Sequence, residues 1–410
     1  MKPLEGVKVV ELATYFAAPS CARLLADWGA DVIKVESPKG DPYRTAYKGQ
    51  RTPQFEEGCP SFDCENSNKK FIALDTKTES GRNALLKLVA EADVFITNNR
   101  LKALQKMRLT YEDLSEQFPG TNHFCRKRTV YADILGYGPK GPDKDKPGYD
   151  YTVFYSRSGF MADLSPKGQD VMNTIAGFGD HVCGITLASG ICAALYRKKT
   201  TGLGDHVSVS LYQTAIHAIS NGLLGAYYGR QFPRLHNDCN SPLLTSHKCK
   251  DGEWIYLSMP EYNKMFPIIC EKIFDRPDLA ADPRYNTIAE ANKRMEEVVQ
   301  IVADIFATQD SDYWVEKMVA NDIAHEKVGH FKDVLTDEQA WANDYLIKYT
   351  YPSGDECIFP AAPVDFASYP ERPFVHAGKI GHDTRDILKT VGYTDAQIDA
   401  MIAAGEAVIN

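Results

Sequence analysis

The sequence lacks the features of an exported or membrane-embedded protein. Its first residues, Met-Lys-Pro-Leu-Glu-Gly-Val-Lys, contain no apolar signal core. No stretch reaches the roughly 20 uninterrupted apolar residues that a membrane span requires. The ten cysteines are scattered, and none forms a Cys-x-x-Cys pair. We therefore expect reduced thiols and a cytoplasmic location.

Motifs for nucleotides, metals and common hydrolases are also missing. The chain has no Walker A loop, no Gly-x-Ser-x-Gly elbow and no His-Glu-x-x-His motif, and its ten histidines show no metal-ligand spacing. Residues 136–141 fit the Gly-x-Gly-x-x-Gly consensus of dinucleotide-binding proteins. However, Pro139 and the polar run 143–146 cannot open the apolar helix that such a site requires. The first strand–helix turn, 13–18, holds no glycine. We therefore expect neither a metal nor any other cofactor.

Acidic residues outnumber basic ones, which bears on the class of partner. The 46 Lys and Arg against 55 Asp and Glu give a net charge of −9. This balance disfavours binding to nucleic acid or to an anionic membrane. A length of 410 residues, with 44% hydrophobic and 25% charged residues, is typical of a globular protein of two or three domains.

Strands and helices alternate through the first 228 residues. We predict strands at 7–12, 31–36, 70–74, 93–97, 128–135 and 206–211, and helices at 19–28, 76–92, 180–198 and 212–228. Strand–helix–strand units imply parallel strands with right-handed crossovers. The pattern therefore predicts an α/β fold with a doubly wound parallel sheet.

The character of the sequence changes after residue 228. A loop-rich stretch, 230–246, precedes a predicted hairpin at 247–258 and helices at 261–273 and 289–307. We predict a smaller α+β domain at 229–325. The remainder of the chain returns to mixed strand and helix.

A glycine-flanked aspartate opens the most apolar helix, in the segment Gly177-Phe-Gly-Asp-His181. Asp180 suits a helix N-cap, which satisfies free backbone amides. It also suits a nucleophilic carboxylate, because a helix N-terminus stabilises the ionised form that attacks. The two roles are compatible, and both remain open. His181 is either a polar neighbour of a site or an ordinary residue of the helix start.

Further candidates follow predicted strands or turns. They are Asn98, Asn99 and Arg100, Tyr15 and Phe16, and Tyr149 and Asp150. The groups 98–100 and 15–16 each follow the carboxyl end of a predicted strand, where open sheets bind ligands. The alternatives are an exposed helix start at Arg100 and core packing for the Tyr15 and Phe16 rings.

Segments spread along the whole chain, in this order, resemble the class III CoA transferases, the formyl-CoA and carnitine CoA-transferase family. They are 4–12, 18–36, 66–77, 136–150, 199–211 and 381–393. The resemblance implies that the catalytic aspartate is Asp180. It also implies a CoA-binding set of Tyr15, Phe16, Ala17, Leu74, Asn98, Asn99, Arg100, Lys106, Tyr149 and Asp150.

The family resemblance also implies an architecture. The partner would be a second copy of this chain, the two forming an interlocked homodimer of threaded rings. The large CoA-binding domain would be built from both chain ends, residues 1–228 and, after a linker, the C-terminal part of 326–410. The smaller domain would lie between them in sequence.

Within the family, the sequence most resembles the branch acting on (R)-2-hydroxy acids in amino-acid fermentation, the phenyllactate and 2-hydroxyisocaproate CoA-transferases. The shared segments are 17–19, 141–147, 177–181 and 339–345. Phe16 stands where the formyl-CoA enzymes have Gln, Ser37 where an Arg is usual, and 259–262 replaces their glycine-rich loop. These departures favour a larger apolar acid over formate or oxalate.

The implied reaction moves CoA between a 2-enoyl-CoA, or a similar acyl-CoA, and a free (R)-2-hydroxy acid. It would pass through an aspartyl mixed anhydride and an aspartyl-CoA thioester. Two alternatives stay open at this point: an α-methylacyl-CoA racemase-like enzyme and a non-catalytic acyl-CoA-binding protein.

Overall fold

A computed structural model describes residues 1–117, 129–236 and 238–410. The strands are β1 (Lys8–Leu12), β2 (Asp31–Glu36), β3 (Lys70–Leu74), β4 (Val94–Thr97), β5 (Val130–Leu135), β6 (His206–Ser210), β7 (Ser246–Lys248), β8 (Trp254–Leu257), β9 (His325–Lys327), β10 (Leu346–Thr350), β11 (Glu356–Pro360) and β12 (Ala407–Val408).

The α-helices are α1 (Ala17–Asp27), α2 (Tyr47–Gln50), α3 (Pro60–Asn66), α4 (Glu79–Glu91), α5 (Leu101–Met107), α6 (Tyr111–Gln117), α7 (Phe160–Leu164), α8 (Phe178–Thr201), α9 (Leu211–Ala218), α10 (Ser220–Tyr227), α11 (Tyr262–Lys272), α12 (Pro277–Ala281), α13 (Ile288–Ala291), α14 (Met295–Phe306), α15 (Ser311–Ala320), α16 (Phe331–Val334), α17 (Glu338–Ala342), α18 (Thr384–Thr390) and α19 (Asp395–Ala403). Short 3₁₀ turns cover Pro42–Thr45 and Asn292–Arg294, and a π-helix covers Asp150–Arg157.

The predicted strands of the first half are confirmed, two of them to the residue (31–36 and 70–74). Arg128, the predicted start of the fifth strand, lies outside the described residues, as does Cys125. Residues 76–79 (Thr-Lys-Thr-Glu) match the capping-box pattern, but the cap of α4 is Thr78, which accepts a hydrogen bond from the Gly81 amide, because Asp75 and Thr76 form the turn before it. Residues 394–397 (Thr-Asp-Ala-Gln) match the same pattern, and there Thr394 does accept from the Gln397 amide.

A seven-stranded sheet organises the large unit in the order β12-β3-β2-β1-β4-β5-β6. All neighbouring strands are parallel except β12, which pairs antiparallel with β3. The sheet is therefore mixed rather than wholly parallel. Because β12 comes from the end of the chain, both chain ends contribute to this sheet.

The sheet buries apolar side chains on both faces. Neighbouring residues of β1 point to opposite faces, so Val9 packs with α1 and α8 while Val10 packs with α4, α18 and α19. Strands covered on both sides read as apolar runs, which is why Val130–Leu135 shows little polar alternation. Helices on both faces make this the layered α/β architecture that the sequence predicted.

The central helix α8 packs along α1 and against β5 and β6. A Cβ at Gly184 would collide with Ser20 Oγ and lie 3.0 Å from the Ala17 carbonyl, so only glycine fits at this crossing. Although α8 is the most apolar helix of the sequence, it is not buried all round in the single chain. Ile185 and Tyr196 lie on an open face, with 47% and 72% of their surface exposed. Of the described helices, α8 alone is long and apolar enough to cross a membrane, a test that core helices also pass.

The chain divides into two compact units. One contains 1–162, 172–230 and 338–410, and the other contains 163–171 and 231–337. The second unit has an antiparallel sheet, β7-β8-β9, and a core built by α11 to α15. It extends past the predicted end at 325 because β9 pairs with β8. It also takes in 163–171, where the Lys167 amide donates to the Arg234 carbonyl.

Replacing Gly184 with alanine should destabilise the protein, because the added methyl group meets the α1 backbone. We expect a loss of about 1–3 kcal/mol, typical of overpacking, seen as a lower thermal midpoint. Gly190→Ala on the same helix is the control. There the new Cβ would lie 2.7 Å from a side-chain methyl group of Val207 and near no backbone atom, and alanine favours the helix, so we expect a smaller loss. Equal destabilisation by both changes would contradict the close crossing.

Candidate active site

A buried ionic cluster lies at the carboxyl end of β1. Lys34 Nζ lies 2.8 Å from Glu11 Oε1 and 3.0 Å from Asp41 Oδ2, and all three side chains are fully buried. Lys69 Nζ lies 2.8 Å from the other Glu11 oxygen. Burial lowers the pKa of Lys69 to about 8, against the attraction of Glu11. Two carboxylates and two ammonium groups thus compensate one another inside the protein, as buried charges must.

This cluster holds the turn that follows β1. Lys34 donates to the Ala13 carbonyl and Lys69 donates to the Pro19 carbonyl. Asp41 accepts from the amide of Tyr15 at 3.3 Å. Tyr15 has a φ of +66°, a left-handed conformation that is costly for a large side chain. The cluster therefore supports a strained backbone at a predicted site, which is where such strain commonly occurs.

Asp180 lies in the first turn of α8, but it is not the N-cap. The helix begins at Phe178, and Gly177, with a φ of +85°, occupies the cap position. The N-cap interpretation from the sequence is wrong, because the chain needs a left-handed residue at that point and only Gly177 adopts it without strain. The Asp180 carboxyl is thus free of a capping role and stays near the helix N-terminus.

Asp150 braces the turn before Asp180. Its Oδ2 accepts a hydrogen bond of 2.9 Å from the Gly177 amide, while its Oδ1 is buried without a partner among the described residues. A Cβ at Gly179 would collide with Asp150 Oδ1 and with the Phe154 ring. The two glycines that precede the aspartate in sequence therefore serve this contact. Asp150, predicted from the resemblance to bind CoA, lies close enough to Asp180 for its charge to act on that carboxyl.

The surroundings of Asp180 oppose its ionisation. Burial, followed by the negative charges of Asp150 and Glu65, raises the pKa of Asp180 to about 7, although His181 acts in the other direction. Burial likewise raises the pKa of Asp150 to about 6. A carboxyl that titrates near neutrality, beside a helix N-terminus, is typical of a reactive group.

His181 pairs with a residue far away in the sequence. Its Nε2 lies 3.0 Å from Oε1 of Glu65, whose side chain is 1% exposed, whereas the His181 side chain is 46% exposed. The negative charge of Glu65 raises the pKa of His181. Burial raises the pKa of Glu65, but His181, Arg23 and a hydrogen bond from Cys64 together outweigh it, and the net direction is downward. The pairing therefore favours the state in which His181 is protonated and Glu65 is ionised.

Aromatic rings form a wall around these groups. The Phe16 ring packs 4.6 Å from Tyr43 and 5.6 Å from the His181 ring, and its edge lies against Gly177. Tyr15 and Tyr149, which are 45% and 53% exposed, meet edge to face at 6.4 Å. Both rings that follow β1 therefore lie at the site: Phe16 is half-buried beside the Asp180 turn, and Tyr15 is open to solvent.

The remaining predicted residues have mixed positions. Asn98 exchanges two hydrogen bonds with the Thr14 backbone, and Asn99 donates to the Leu12 carbonyl, so both brace the β1 turn. Ala17 begins α1 and is buried.

Leu74 is 1% exposed and packs in the core, so its side chain is closed to a ligand, and a contact of CoA with Leu74 stays a prediction. Arg100 and Lys106 are exposed at the two ends of α5. Their contact with CoA stays a prediction.

Glu65, Tyr43 and Asp41 were missed from the sequence. Glu65 is separated from His181 by 116 residues, so no local spacing links the two. A signal did exist for Glu65, because it directly precedes the recognised segment 66–77.

Asp180→Asn should stabilise the protein at alkaline pH. The folded-state pKa of about 7 lies above the unfolded value of 3.8, so ionised Asp180 costs stability as pH rises between these values. We expect a gain of about 1–3 kcal/mol at pH 8 that shrinks towards pH 4. Thermal midpoints measured across pH would show it, with exposed Asp170→Asn as control. A variant less stable than wild type at pH 8 would contradict the raised pKa.

Known proteins match this chain over nearly its whole length. A model of CoA-transferase family III matches residues 4–384. The (R)-2-hydroxy-4-methylpentanoate CoA-transferase of Clostridioides difficile is 41% identical over 396 residues, which cover 97% of each chain. The cinnamoyl-CoA:phenyllactate CoA-transferase of Clostridium sporogenes is 40% identical over 402 residues, covering 97% of this chain and 95% of the relative.

The fold agrees as well. The crystal structure of a CAIB/BAIF family protein from Brucella suis superposes with a TM-score of 0.79 at 26% identity, covering 95% of this chain and 99% of that one. Sequence and fold thus match over nearly the full length, and the chain belongs to CoA-transferase family III.

Proposed function

We propose that this CoA-transferase moves CoA from a 2-enoyl-CoA, or a similar acyl-CoA, to a free (R)-2-hydroxy acid. The observation that carries the proposal is the Asp180 carboxyl, which stands at the N-terminus of α8 and titrates near neutrality beside accessible aromatic rings. The substrates of the two relatives at about 40% identity support the acid class.

The reaction needs only carboxylate and thioester chemistry. An oxygen of ionised Asp180 attacks the donor carbonyl, and the C–S bond breaks to give a mixed anhydride and CoA thiolate. The thiolate then attacks the aspartyl carbonyl and releases the donor acid, which leaves an aspartyl-CoA thioester. Covalent catalysis thus divides one difficult exchange into easier steps.

The second half of the reaction reverses these steps. The acceptor carboxylate attacks the aspartyl thioester and expels CoA thiolate, forming a new mixed anhydride. The thiolate attacks the acceptor carbonyl, so acceptor-CoA leaves and the Asp180 carboxylate is restored. No proton or electron is gained or lost overall, and no redox cofactor or metal enters the balance.

Asp150 acts in this scheme as a positioning residue. Its hydrogen bond to the Gly177 amide holds the turn from which Asp180 extends. Its charge also keeps the Asp180 carboxylate from being strongly stabilised, because it raises the pKa. A carboxylate that is poorly stabilised in its resting state is the better nucleophile, provided that the pH keeps it ionised.

The aromatic wall suits an apolar acyl group. Phe16 is half-buried beside the Asp180 turn and packs on the buried Tyr43 ring, so the ring surface open to a ligand comes from Phe16 and the exposed Tyr15. Such a surface favours branched or aromatic side chains, although it discriminates by only about 1–3 kcal/mol per methylene group. We infer moderate selectivity for bulky (R)-2-hydroxy acids over formate or oxalate.

Asp180→Ala should abolish transfer between an enoyl-CoA and a hydroxy acid, because it removes the carboxyl group on which the anhydride and thioester intermediates form. In wild-type enzyme incubated with acyl-CoA, hydroxylamine should convert Asp180 to a hydroxamate, detected by peptide mass. Formation of the new acyl-CoA is followed by chromatography over a panel of acids.

The same assay separates the alternatives. A racemase would invert the configuration of the original acyl group without forming a new thioester. An acyl-CoA-binding protein would neither invert the acyl group nor form a new thioester. Full activity of Asp180→Ala, with no hydroxamate in the wild type, would refute the nucleophile.

We propose further that the enzyme is an interlocked homodimer working in the cytoplasm. Large apolar side chains stand open on α8, α9 and α10: Ile185, Tyr196, Ile216, Leu223, Leu224, Tyr227 and Tyr228. A patch of this kind usually marks an interface, and a second copy would cover it. The nine described cysteines are free thiols, which supports a reducing compartment.

Threaded rings cannot separate without unfolding, which gives the dimer a kinetic signature. When tagged and untagged enzymes are mixed, we expect no mixed dimer by affinity capture until both are denatured and refolded together. Dilution in size-exclusion chromatography should likewise show no folded monomer. Rapid subunit exchange under native conditions would contradict the interlocked arrangement.

A further inference from the structure

His181 follows Asp180 directly, and its ring is held at one end only. Nε2 is fixed to Glu65 Oε1 at 3.0 Å, and Glu65 is itself buried at the end of α3. The Phe16 ring meets the imidazole edge to face at 5.6 Å and limits its rotation. In the described part of the chain, no protein group is hydrogen-bonded to Nδ1. The imidazole thus offers one oriented, accessible nitrogen next to the nucleophile.

That nitrogen is a donor when the imidazole is protonated. The Glu65 carboxylate raises the pKa of His181 and so stabilises the imidazolium, in which both ring nitrogens carry a proton. The charged groups that act on the ring are Glu65, Asp180 and, with opposite sign, Arg23. The arrangement resembles the orienting pairs in which a buried carboxylate fixes a histidine tautomer.

The chemistry of the acceptor places a hydroxyl in the same neighbourhood. To react, the acid must bring its carboxylate to the carbonyl carbon of the Asp180 thioester. The 2-hydroxyl is carried by the carbon directly attached to that carboxylate, so it lies within a few bonds of Asp180. Asp150 and Glu65 also adjoin Asp180, but both are buried, and Asp150 already accepts from Gly177. His181 is the accessible donor of the group.

We propose that His181, oriented by Glu65, recognises the 2-hydroxyl group of the acceptor acid and so selects 2-hydroxy acids over their deoxy analogues. The inference rests on the proposed function and adds a specificity residue to it. A charge-assisted hydrogen bond to the hydroxyl is gained with the right acid. With the deoxy analogue this hydrogen bond is not made and the partly exposed His181 stays hydrated, so the transition state is less well stabilised.

The test compares two acceptors of the same carbon skeleton, (R)-2-hydroxy-4-methylpentanoate and 4-methylpentanoate, with one enoyl-CoA donor. The readout is the ratio of their kcat/KM values within each enzyme, which does not depend on the fraction of folded protein. We expect wild type to favour the hydroxy acid and His181→Leu to lower the ratio at least tenfold. His181→Gln, whose amide can still donate, should lower it less, by about threefold.

The control is His382→Leu. His382 also pairs with a carboxylate, Asp383 at 2.9 Å, and it is 59% exposed, so its loss should leave the ratio unchanged. Equal losses for both acids in the His181 variants would mean that His181 only positions Asp180, and this would overturn the proposal. A wild-type enzyme that accepts the deoxy acid equally well would also overturn the role of His181, but it would leave the proposed transferase function intact. No thioester from either acid would overturn both proposals.

Discussion

The buried pairing of Glu11 and Asp41 with Lys34 and Lys69 is the constraint on which the site depends. The four groups balance their charges, and removing one would leave an uncompensated buried charge at a cost of about 3–5 kcal/mol. Through hydrogen bonds to the 13–19 backbone, the cluster fixes the turn that carries Tyr15 and Phe16. The buried ionic cluster thus holds in place the backbone that carries the aromatic residues of the site.

Two opposing influences meet at Asp180. The N-terminus of α8 favours a negative charge, while burial and the carboxylates of Asp150 and Glu65 disfavour it. The second influence is larger, so the group titrates near neutral pH and the fold loses stability by keeping it ionised. Reactive sites commonly show this conflict between stability and activity, and it supports the assignment of Asp180 independently of family resemblance.

Periodicity and turn signals predicted the large sheet well, because each strand and helix depends on residues close in sequence. Tertiary pairing decided the exceptions. The chain end joins the sheet as an antiparallel strand, and β9 extends the second unit because it pairs with β8. The face of α8 that bears Ile185 and Tyr196 is open in the single chain. A helix that is apolar all round shows that something covers it, but its sequence does not show which molecule does so.

The sequence by itself determined the order of strands and helices, the glycine-flanked Asp180 and, through its matched segments, the family. It did not determine which side chains are open to a ligand, as the buried Leu74 and the turn-bracing Asn98 illustrate. Only the tertiary structure joined Glu65 to His181 across 116 residues and Asp150 to Gly177 across 27. The reason is physical: local spacing reports helix and strand periodicity, whereas a site brings together residues from separate segments that meet only when the chain is packed.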